Sequence, residues 1–313
     1  MTYPEFLQSW RSDSRHIACH TSGSTGAPKQ ILLPKHEMER SARRTLDFLK
    51  IKPGSIFYSC ISPDYIGGKM QAVRAEISSG NLRWETPSNK PYLNVSEGEI
   101  DLLSIVPSQI ISIIDRLDAG EKLPNLKNIL IGGSSIHPSL RTRIARTGLN
   151  CFESYGMTET CSHIALRKIT EIEEFFTPLP GITVELDSNS RLMINIENWQ
   201  VIHTNDLAIL DDKGNFKILG RFDNVIVTGG KKVSPEQYEE ILEAELGFPI
   251  LFTGEPDEKW THCVVLTADG DQNNETIDLI LNACRRLMPD YAVPKRIRFG
   301  KIPLTPNGKK LRR

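Results

Sequence analysis

The chain has 313 residues, of which 39% are hydrophobic and 25% are charged, so it can bury a substantial core and is predicted to form two domains rather than a disordered segment. Its 38 lysines and arginines nearly balance 39 aspartates and glutamates, and the formal net charge of -1 excludes the strong basic field that recruits nucleic acid or anionic membrane. No stretch approaches about 18 consecutive apolar residues and the first residues lack a signal-peptide core, so we expect neither a membrane span nor export.

Six cysteines are scattered along the sequence without any C-x-x-C pair: Cys19, Cys60, Cys151, Cys161, Cys263 and Cys284. This spacing favours buried thiols in a reducing compartment over disulfides or a cysteine metal site. We therefore expect a cytoplasmic protein.

The first distinctive feature in chain order is the stretch Thr21–Lys29, which reads TSGSTGAPK. Glycine permits positive φ and close approach of the backbone, so Gly23 and Gly26 would let several N–H groups point at one anion. Hydroxyl donors and one positive charge surround these glycines, supplied by Thr21, Ser22, Ser24, Thr25 and Lys29. We interpret the stretch as a phosphate-binding loop, and a Ser/Gly surface turn is the alternative.

This loop differs from the Walker A loop of P-loop NTPases. In that pattern glycine and lysine are adjacent and a helix follows, whereas here Ala27 and Pro28 separate Gly26 from Lys29. The next residues, Gln30–Leu33, are predicted to form a strand. The pattern therefore excludes a P-loop NTPase.

The larger part of the chain then alternates short apolar runs with helical patterns, the rhythm of an α/β fold. Continuous apolar runs such as Leu102–Val106 are typical of sheet buried on both faces, and chemistry is expected at the strand ends. Strands are predicted at Ile56–Ile61, Ile100–Val106, Asn128–Ile131 and, weakly, Leu149–Phe152, and helices at Pro107–Leu117 and Pro138–Ala145.

Two polar motifs follow these strands. In the stretch Ser154–Thr160, Tyr155 offers a flat face for a base, Thr158 a hydroxyl donor and Glu159 a hard oxygen ligand for Mg²⁺. Asp206 is predicted in a loop before the strand Leu207–Leu210, where its carboxylate could accept hydrogen bonds from a ribose diol. Each motif alone is also compatible with an ordinary turn or helix cap.

A second domain is predicted from residue 221 onward. The stretch Phe216–Gly230 has a strand, turn, strand, turn pattern, and a helix should follow with Ser234 as N-cap, Pro235 at its first position and Gln237 at the capping-box spacing. A second helix is predicted at Glu275–Met288, ended by Pro289. Near the end, Leu304–Lys309 is predicted as a tight turn with Lys309 at its tip, and a solvated basic tail is the alternative.

Five motifs in this order resemble the adenylate-forming superfamily of acyl-CoA synthetases, carrier-protein-loading adenylation domains and luciferases. The superfamily patterns are roughly TSGTTGxPK, YGxTE, TGD, GRxDxxIxxxGxxVxPxExE and PxxxxGKxxR. The chain has TSGSTGAPK, YGMTE, TND, GRFDNVIVTGGKKVSPEQYE and PLTPNGKKLR, spread over residues 21–312. The resemblance implies an α/β adenylate-forming fold with a large domain over residues 1–220, shortened at its N-terminus, and a small α+β lid domain over residues 221–313.

The resemblance also implies the activity: a carboxylate attacks the α-phosphorus of ATP, pyrophosphate leaves, and the thiol of CoA captures the acyl-adenylate. The glycine loop would contact the β- and γ-phosphates, Thr158 the α-phosphate and Glu159 the Mg²⁺ ion, and Tyr155 with Gly156 would lie against adenine. Three residues at a strand end would border the adenine and acid pocket, namely Gly132, Gly133 and Ser134.

The resemblance implies that Asp206 in the large domain and Arg221 in the small domain hold the ribose hydroxyls, and that Lys309 bridges the attacking carboxylate and the α-phosphate. Lys309 can do so only if the small domain folds back over the large one. The hinge would lie at Asp223, and rotation after adenylation would admit the pantetheine thiol past Gly229 and Gly230.

The acid is suggested by a narrower resemblance. The segment Ser104–Gln109, SIVPSQ, is similar to the SLVPTQ segment of o-succinylbenzoate-CoA ligases of menaquinone biosynthesis, whose substrate is an aryl dicarboxylate. We therefore expect a cation in the acid pocket: Lys69, with Arg74 as a further candidate, would face the benzoate carboxylate. Other residues expected near this pocket are Tyr65, Gly68, Gln109 and His163, where Tyr65 stands roughly where the family has histidine.

Full-length family members carry a further segment before the glycine loop, so we leave open a homodimer that completes the pocket. Two other functions also remain open. The protein could be an acid-adenylating enzyme that loads a carrier protein, or a non-catalytic nucleotide-binding protein on the same scaffold. Its expected partners are ATP, CoA and a small acid, with no nucleic acid and no membrane.

Overall fold

The structure is a computed structural model that describes residues 1–20, 29–94, 96, 98–270, 272–304 and 310–312. Residue contacts divide the chain into two units. The first unit contains Met1–Ile136, Leu140–Thr183 and Ile196–Gln200, and the second contains His137–Ser139, Val184–Asn195 and Val201–Arg313. Residues 201–220 thus group with the second unit, and a domain boundary at residue 220 stays a prediction.

The first unit is built on a mixed, seven-stranded sheet within the described residues. The strands of this part of the chain are β1 (His16–His20), β2 (Gln30–Pro34), β3 (Ile56–Ser59), β4 (Asn81–Trp84), β5 (Glu99–Ile100), β6 (Leu102–Ile105), β7 (Asn125–Leu126), β8 (Ile129–Ile131), β9 (Cys151–Met157), β10 (Ser162–Lys168) and β11 (Thr177–Pro178). The helices are α1 (Tyr3–Arg11), α2 (Lys35–Phe48), α3 (Ile66–Ile77), α4 (Pro107–Asp118) and α5 (Pro138–Arg146).

The sheet order is β11-β10-β9-β8-β6-β3-β4; β4, β3, β6, β8 and β9 are parallel to one another, and β10 is antiparallel to its two neighbours, β9 and β11. Strands β6 and β8 are buried along their whole length, as their continuous apolar sequences predict. Helices α4 and α5 begin at the predicted prolines, because proline lacks the N–H that a first helical position leaves unbonded. The predicted α/β fold is confirmed.

A β1–β2 hairpin precedes this sheet. The two strands pair antiparallel, with His20 opposite Gln30. The predicted strand after the glycine loop is therefore confirmed, whereas Thr21–Pro28 lie outside the described residues. Side chains of α1, the hairpin, α2 and α3 share one apolar core, which includes Tyr3, Phe6, Ile17, Leu33, Met38 and Met70.

The second unit contains three small sheets in its described residues and two helices. Its elements are β12 (Ile182–Leu186), which begins at the unit boundary, β13 (Arg191–Ile196), β14 (Gln200–Leu210), β15 (Phe216–Arg221), β16 (Ile226–Thr228), β17 (Lys231–Val233), α6 (Pro235–Leu246), β18 (Ile250–Asp257), β19 (Thr261–Ala268), α7 (Asn274–Leu287) and β20 (Arg296–Phe299). The sheets order as β12-β13-β14-β15, β16-β17 and β18-β19-β20. Both predicted helices are present within one residue of their predicted starts.

Two local predictions are wrong in this unit. Asp206 lies inside β14, not in a loop, because pairing with β15 continues through it. Ser234 has the extended N-cap conformation of α6, yet its side chain makes no cap hydrogen bond, so the predicted capping box with Gln237 does not form.

All six cysteines are buried and unpaired as thiols, as their spacing predicts. Among the described residues, no helix combines the length and the apolar character needed to cross a membrane.

Candidate functional site

The carboxyl ends of β3, β6, β8 and β9 meet at one edge of the first unit's sheet, where ligands of parallel α/β sheets usually bind. Gln109, on the first turn of α4, ties two of these ends together. Its amide nitrogen donates to the carbonyl oxygens of Cys60 at 3.0 Å and Ser88 at 2.7 Å, and its Oε1 accepts from Val106 N–H at 2.9 Å. Gln109 is buried and shapes the edge through these backbone contacts.

The turn after β8 requires its glycines. A Cβ on Gly132 would lie 2.5 Å from Ser154 Oγ, and Gly133 has φ +94°, a conformation that L side chains rarely adopt. Ser154 in turn donates to the carbonyl oxygen of Ile131 at 3.1 Å. The structure thus brings Gly132 and Gly133, followed by Ser134, against the start of the tyrosine motif.

Tyr155 and Gly156 lie within β9, so the motif is mostly strand. The Tyr155 ring is half-buried, with its centroid 5.8 Å from that of Phe176. A Cβ on Gly156 would lie 2.2 Å from the carbonyl oxygen of Ser162, because β10 pairs closely there. β9 therefore begins and ends later than the predicted strand Leu149–Phe152, because its pairing with β10 continues through Met157.

Thr158 and Glu159 form a single 3-10 turn, Thr158–Thr160, at the end of β9. Thr158 is buried and Glu159 is exposed. A single exposed carboxylate suits Mg²⁺, which keeps several waters and is usually held by one or two carboxylates plus substrate phosphates. Among the described residues there is no group of three His, Cys, Asp or Glu side chains that could hold a metal ion.

The predicted acid-pocket residues around α3 have different surroundings. Tyr65 is 54% exposed at the N-cap of α3, and Gly68 approaches the carbonyl of Ser62 so closely that a Cβ would lie 2.4 Å from it. Lys69 is 2% exposed, and its Nζ donates to the carbonyl oxygens of Pro63 at 2.5 Å and Asp64 at 3.2 Å. Burial lowers the pKa of Lys69. Its ammonium group is therefore engaged by the loop before α3.

Arg74, five residues further along α3, is a buried cation whose partners among the described residues are neutral. It is 1% exposed, and its Nη2 lies 3.3 Å from Ser162 Oγ and 3.5 Å from His163 Nδ1, while Nη1 lies 3.5 Å from Gln71 Oε1. Its Nε is buried without a hydrogen-bond partner. Among the described residues no carboxylate forms an ion pair with it, and burial lowers the pKa of Arg74 to about 9.

His163, on β10, belongs to the same group of buried polar side chains as Arg74. Its Nε2 lies 2.9 Å from Thr45 Oγ1, and burial together with the charge of Arg74 holds the pKa of His163 well below its ordinary value, so the imidazole is neutral. Sequence reasoning identified Arg74 and His163 but not Thr45, Gln71 and Ser162. The missed residues are single polar side chains on α2, α3 and β10, and Ser162 lies just after the tyrosine motif.

In the second unit, the predicted ribose pair and the predicted hinge residue are neighbours. Arg221 donates to Asp206 Oδ1 and to Asp223 Oδ2, both at 3.0 Å, and Asn205 also donates to Asp223. Asp206 and Arg221 are opposite residues of the β14–β15 ladder. The structure therefore brings these three predicted residues together.

The β16–β17 hairpin carries the two glycines predicted to contact CoA, and the space beside one of them is occupied. A Cβ on Gly229 would lie 2.8 Å from Trp260 Cε3, so the space above Gly229 is occupied by the indole ring. Nothing lies within 4 Å of a Cβ built on Gly230. That Gly229 and Gly230 leave room for the pantetheine arm stays a prediction.

The remaining predicted residues are the glycine loop and the terminal lysine. Thr21, Ser22, Gly23, Ser24, Thr25, Gly26 and Lys309 lie outside the described residues, while Lys29 is exposed just before β2. Close to Lys309 in sequence, Leu304 pairs with Lys310 in an antiparallel bridge. Lys310 Nζ donates to Glu239 at 3.1 Å and Glu243 at 2.6 Å, which anchors this end of the chain on α6.

Comparison with known proteins gives consistent results. The profile of the family described as AMP-binding enzyme matches residues 5–197. A 2-succinylbenzoate–CoA ligase of Enterococcus faecalis is 24% identical over 99% of this chain and 70% of its own length, and one of Bacillus cytotoxicus is 24% identical over 94% of this chain and 68% of its own length.

Two solved structures are also similar. An acyl-CoA synthetase (AMP-forming)/AMP-acid ligase II-like protein of Dyadobacter fermentans is 30% identical, with a TM-score of 0.66 over 98% of this chain and 90% of that chain. The o-succinylbenzoate CoA synthetase of Bacillus subtilis, in complex with its acyl-adenylate intermediate, is 20% identical, with a TM-score of 0.79 over 94% of this chain and 67% of that chain. At that identity, the second comparison shows a common fold.

Proposed function

The chain belongs to the AMP-binding enzyme family, and from that membership we propose that it is an ATP-dependent, AMP-forming acid–CoA ligase whose acid is o-succinylbenzoate. The relatives named 2-succinylbenzoate–CoA ligase, which align with almost the whole chain, support this substrate. The acid is a dicarboxylate: its succinyl carboxylate would be activated while the benzoate carboxylate stays charged.

The observation that carries the proposal is the uncompensated charge of Arg74. A buried cation without an anionic partner is unfavourable by several kcal/mol, and a carboxylate that reaches it restores charge balance through a strong hydrogen bond. Ser162 Oγ, half-buried and 3.3 Å from Arg74 Nη2, offers a further hydrogen-bonding group beside the guanidinium. We assign the benzoate carboxylate to Arg74 instead of Lys69, because the Lys69 ammonium already has two carbonyl acceptors.

The nucleotide half of the reaction would use the end of β9. Glu159 would hold Mg²⁺, Thr158 would donate to the α-phosphate, and the glycine loop with Lys29 would contact the β- and γ-phosphates. A bond forms between the acid's carboxylate oxygen and the α-phosphorus, and the bond to pyrophosphate breaks. The protein's main contribution is to position two anions and neutralise their charge. Mg²⁺ would supply further charge neutralisation on the phosphates.

The second half of the reaction transfers the acyl group to CoA. The thiolate sulfur attacks the acyl carbonyl carbon, and AMP leaves with the electron pair of the carbon–oxygen bond. In this proposal Asp206 and Arg221 contact the ribose hydroxyls, and Lys309 bridges the attacking carboxylate and the α-phosphate. Because Arg221 also binds Asp223, rotation about the proposed hinge would have to alter the Arg221–Asp223 ion pair.

The test is mass-spectrometric detection of a CoA thioester from protein, ATP, Mg²⁺, CoA and o-succinylbenzoate, beside a panel of benzoates and fatty acids. We expect o-succinylbenzoyl-CoA as the dominant product. AMP release with a different acid would retain the mechanism and refute the substrate. Acyl transfer only to a phosphopantetheinylated carrier protein would favour a carrier-loading enzyme, and nucleotide binding without pyrophosphate release would favour a non-catalytic protein.

A further inference from the structure

A buried ion cluster lies beside the proposed base-binding strand and has no role in the mechanism above. Glu153 on β9 accepts from Arg167 Nε at 2.9 Å, and Arg141 Nη2 lies 3.3 Å from the same carboxylate oxygen. Glu173 binds both arginines, at 2.5 Å to Arg167 and 3.4 Å to Arg141. Arg141, Glu153 and Arg167 are between 3% and 7% exposed.

The cluster contacts one side of the proposed base site through aromatic rings. The Arg167 guanidinium carbon lies 4.2 Å from the centroid of the Phe176 ring, and Phe176 packs on Tyr155 at 5.8 Å. A planar guanidinium held by two carboxylates is a rigid platform for an aromatic ring. Arg167 thereby fixes the ring against which Tyr155 lies.

The same cluster also contacts the turn after β8 through a backbone hydrogen bond. The second oxygen of Glu153 accepts from the N–H of Ile136 at 3.3 Å. Ile136 ends the turn that begins at Gly132, the turn expected to border adenine. One carboxylate is therefore connected to both candidate walls of the base pocket: the turn directly, and Tyr155 through Arg167 and Phe176.

We propose that Glu153 and Arg167 are positioning residues for the purine base of the nucleotide, an inference that rests on the proposed function. Buried ion pairs contribute little net stability compared with apolar side chains of the same size, so stability alone gives no reason for this cluster. The geometry of the cluster gives a functional reason, because the cluster sets the separation of Tyr155 from the Gly132 turn. Neither residue contacts the reacting atoms.

The test is a double-mutant cycle on nucleotide affinity, measured by titration calorimetry of the whole protein with AMP. Arg167→Lys keeps the charge but removes the planar face, and Phe176→Leu removes the ring that transmits the contact. Each change should weaken AMP affinity about tenfold, and the double variant should be no weaker than about twentyfold because both changes break the same connection. Glu153→Gln, which keeps an acceptor for Ile136, should also weaken AMP binding.

The matched control is Arg116→Lys, since Arg116 also binds a carboxylate and backbone carbonyls but lies on α4. It should lower the thermal midpoint without changing AMP affinity. Additive effects in the cycle, wild-type affinity in the single variants, or an equal loss in the Arg116 control would each overturn the inference while leaving the proposed function intact. Absence of AMP binding by the unmodified protein would overturn both.

Discussion

At the scale of single residues, Arg74 is the side chain whose surroundings point most directly to a ligand. Arg74→Met keeps most of the length and apolar volume while removing the charge. We expect kcat/KM for o-succinylbenzoate to fall by about 100-fold, because a buried charge-assisted contact is worth roughly 2–5 kcal/mol. Activity with 4-oxo-4-phenylbutanoate, which lacks the ring carboxylate, should change less than about threefold. Steady-state kinetics with both acids measure the ratio, and equal losses for the two acids would contradict the assignment.

A second residue-scale prediction concerns pH. The pKa of His163 is lowered in the folded protein, so below its ordinary value of 6.5 the unfolded chain binds more protons than the native state. The stability associated with neutral His163 is therefore fully present above about pH 6.5 and is lost as the pH falls further. His163→Gln should show a smaller loss of thermal midpoint between about pH 7 and pH 5 than the unmodified protein, measured by scanning calorimetry. An identical pH dependence would refute this explanation.

At the scale of elements, the neighbouring glycines of α3 provide an internal comparison. A Cβ on Gly68 would lie 2.4 Å from the backbone oxygen of Ser62, whereas a Cβ on Gly67 would meet only Ile61 Cδ1 at 3.9 Å. We expect Gly68→Ala to destabilise the protein by about 1–3 kcal/mol and Gly67→Ala to stabilise it by about 0.5–1 kcal/mol. Urea unfolding measures both, and equal shifts for the two variants would show that the loop before α3 adapts freely.

The sequence predicted elements whose signals are local. Prolines mark the starts of α4 and α6, and apolar runs mark β6 and β8, so the predicted bounds of these elements lie close to the observed ones. Strands whose limits depend on pairing with another strand were predicted less accurately. Asp206 has a polar, turn-like sequence around it, but pairing with Arg221 extends β14 through it.

The same distinction between local sequence patterns and distant pairing applies to the residues of the candidate site. Glycine-rich turns and the tyrosine motif are visible as contiguous patterns, and the residues described from them do lie at strand ends. The ion cluster was missed because Glu153 and Arg167 are 14 positions apart and meet only through the β9–β10 ladder. The environment of Lys69 was missed for a related reason: its two acceptors are backbone carbonyls, which no sequence pattern displays.

At the scale of the whole molecule, the two half-reactions should be separable. Lys309→Ala should reduce adenylate formation by at least about 100-fold, since it removes the charge proposed to bridge two anions, and should leave thioester formation from supplied acyl-adenylate within about threefold. Pyrophosphate release measures the first half and thioester yield the second. Lys310→Met is a useful comparison, because Lys310 binds Glu239 and Glu243 on α6 and should affect stability first. Equal losses in both halves for Lys309→Ala would refute the division of roles.

The buried guanidinium of Arg74 also has a consequence for the lifetime of the protein. If a dicarboxylate supplies its missing counter-charge, the ligand-free form is the less stable one, and bound acid protects the native state by mass action as well as by relieving the buried charge. Unfolded chains are the substrates of cellular proteases, so abundance would follow the supply of the acid. The residue that selects the substrate would then also make the enzyme's persistence depend on having substrate to convert.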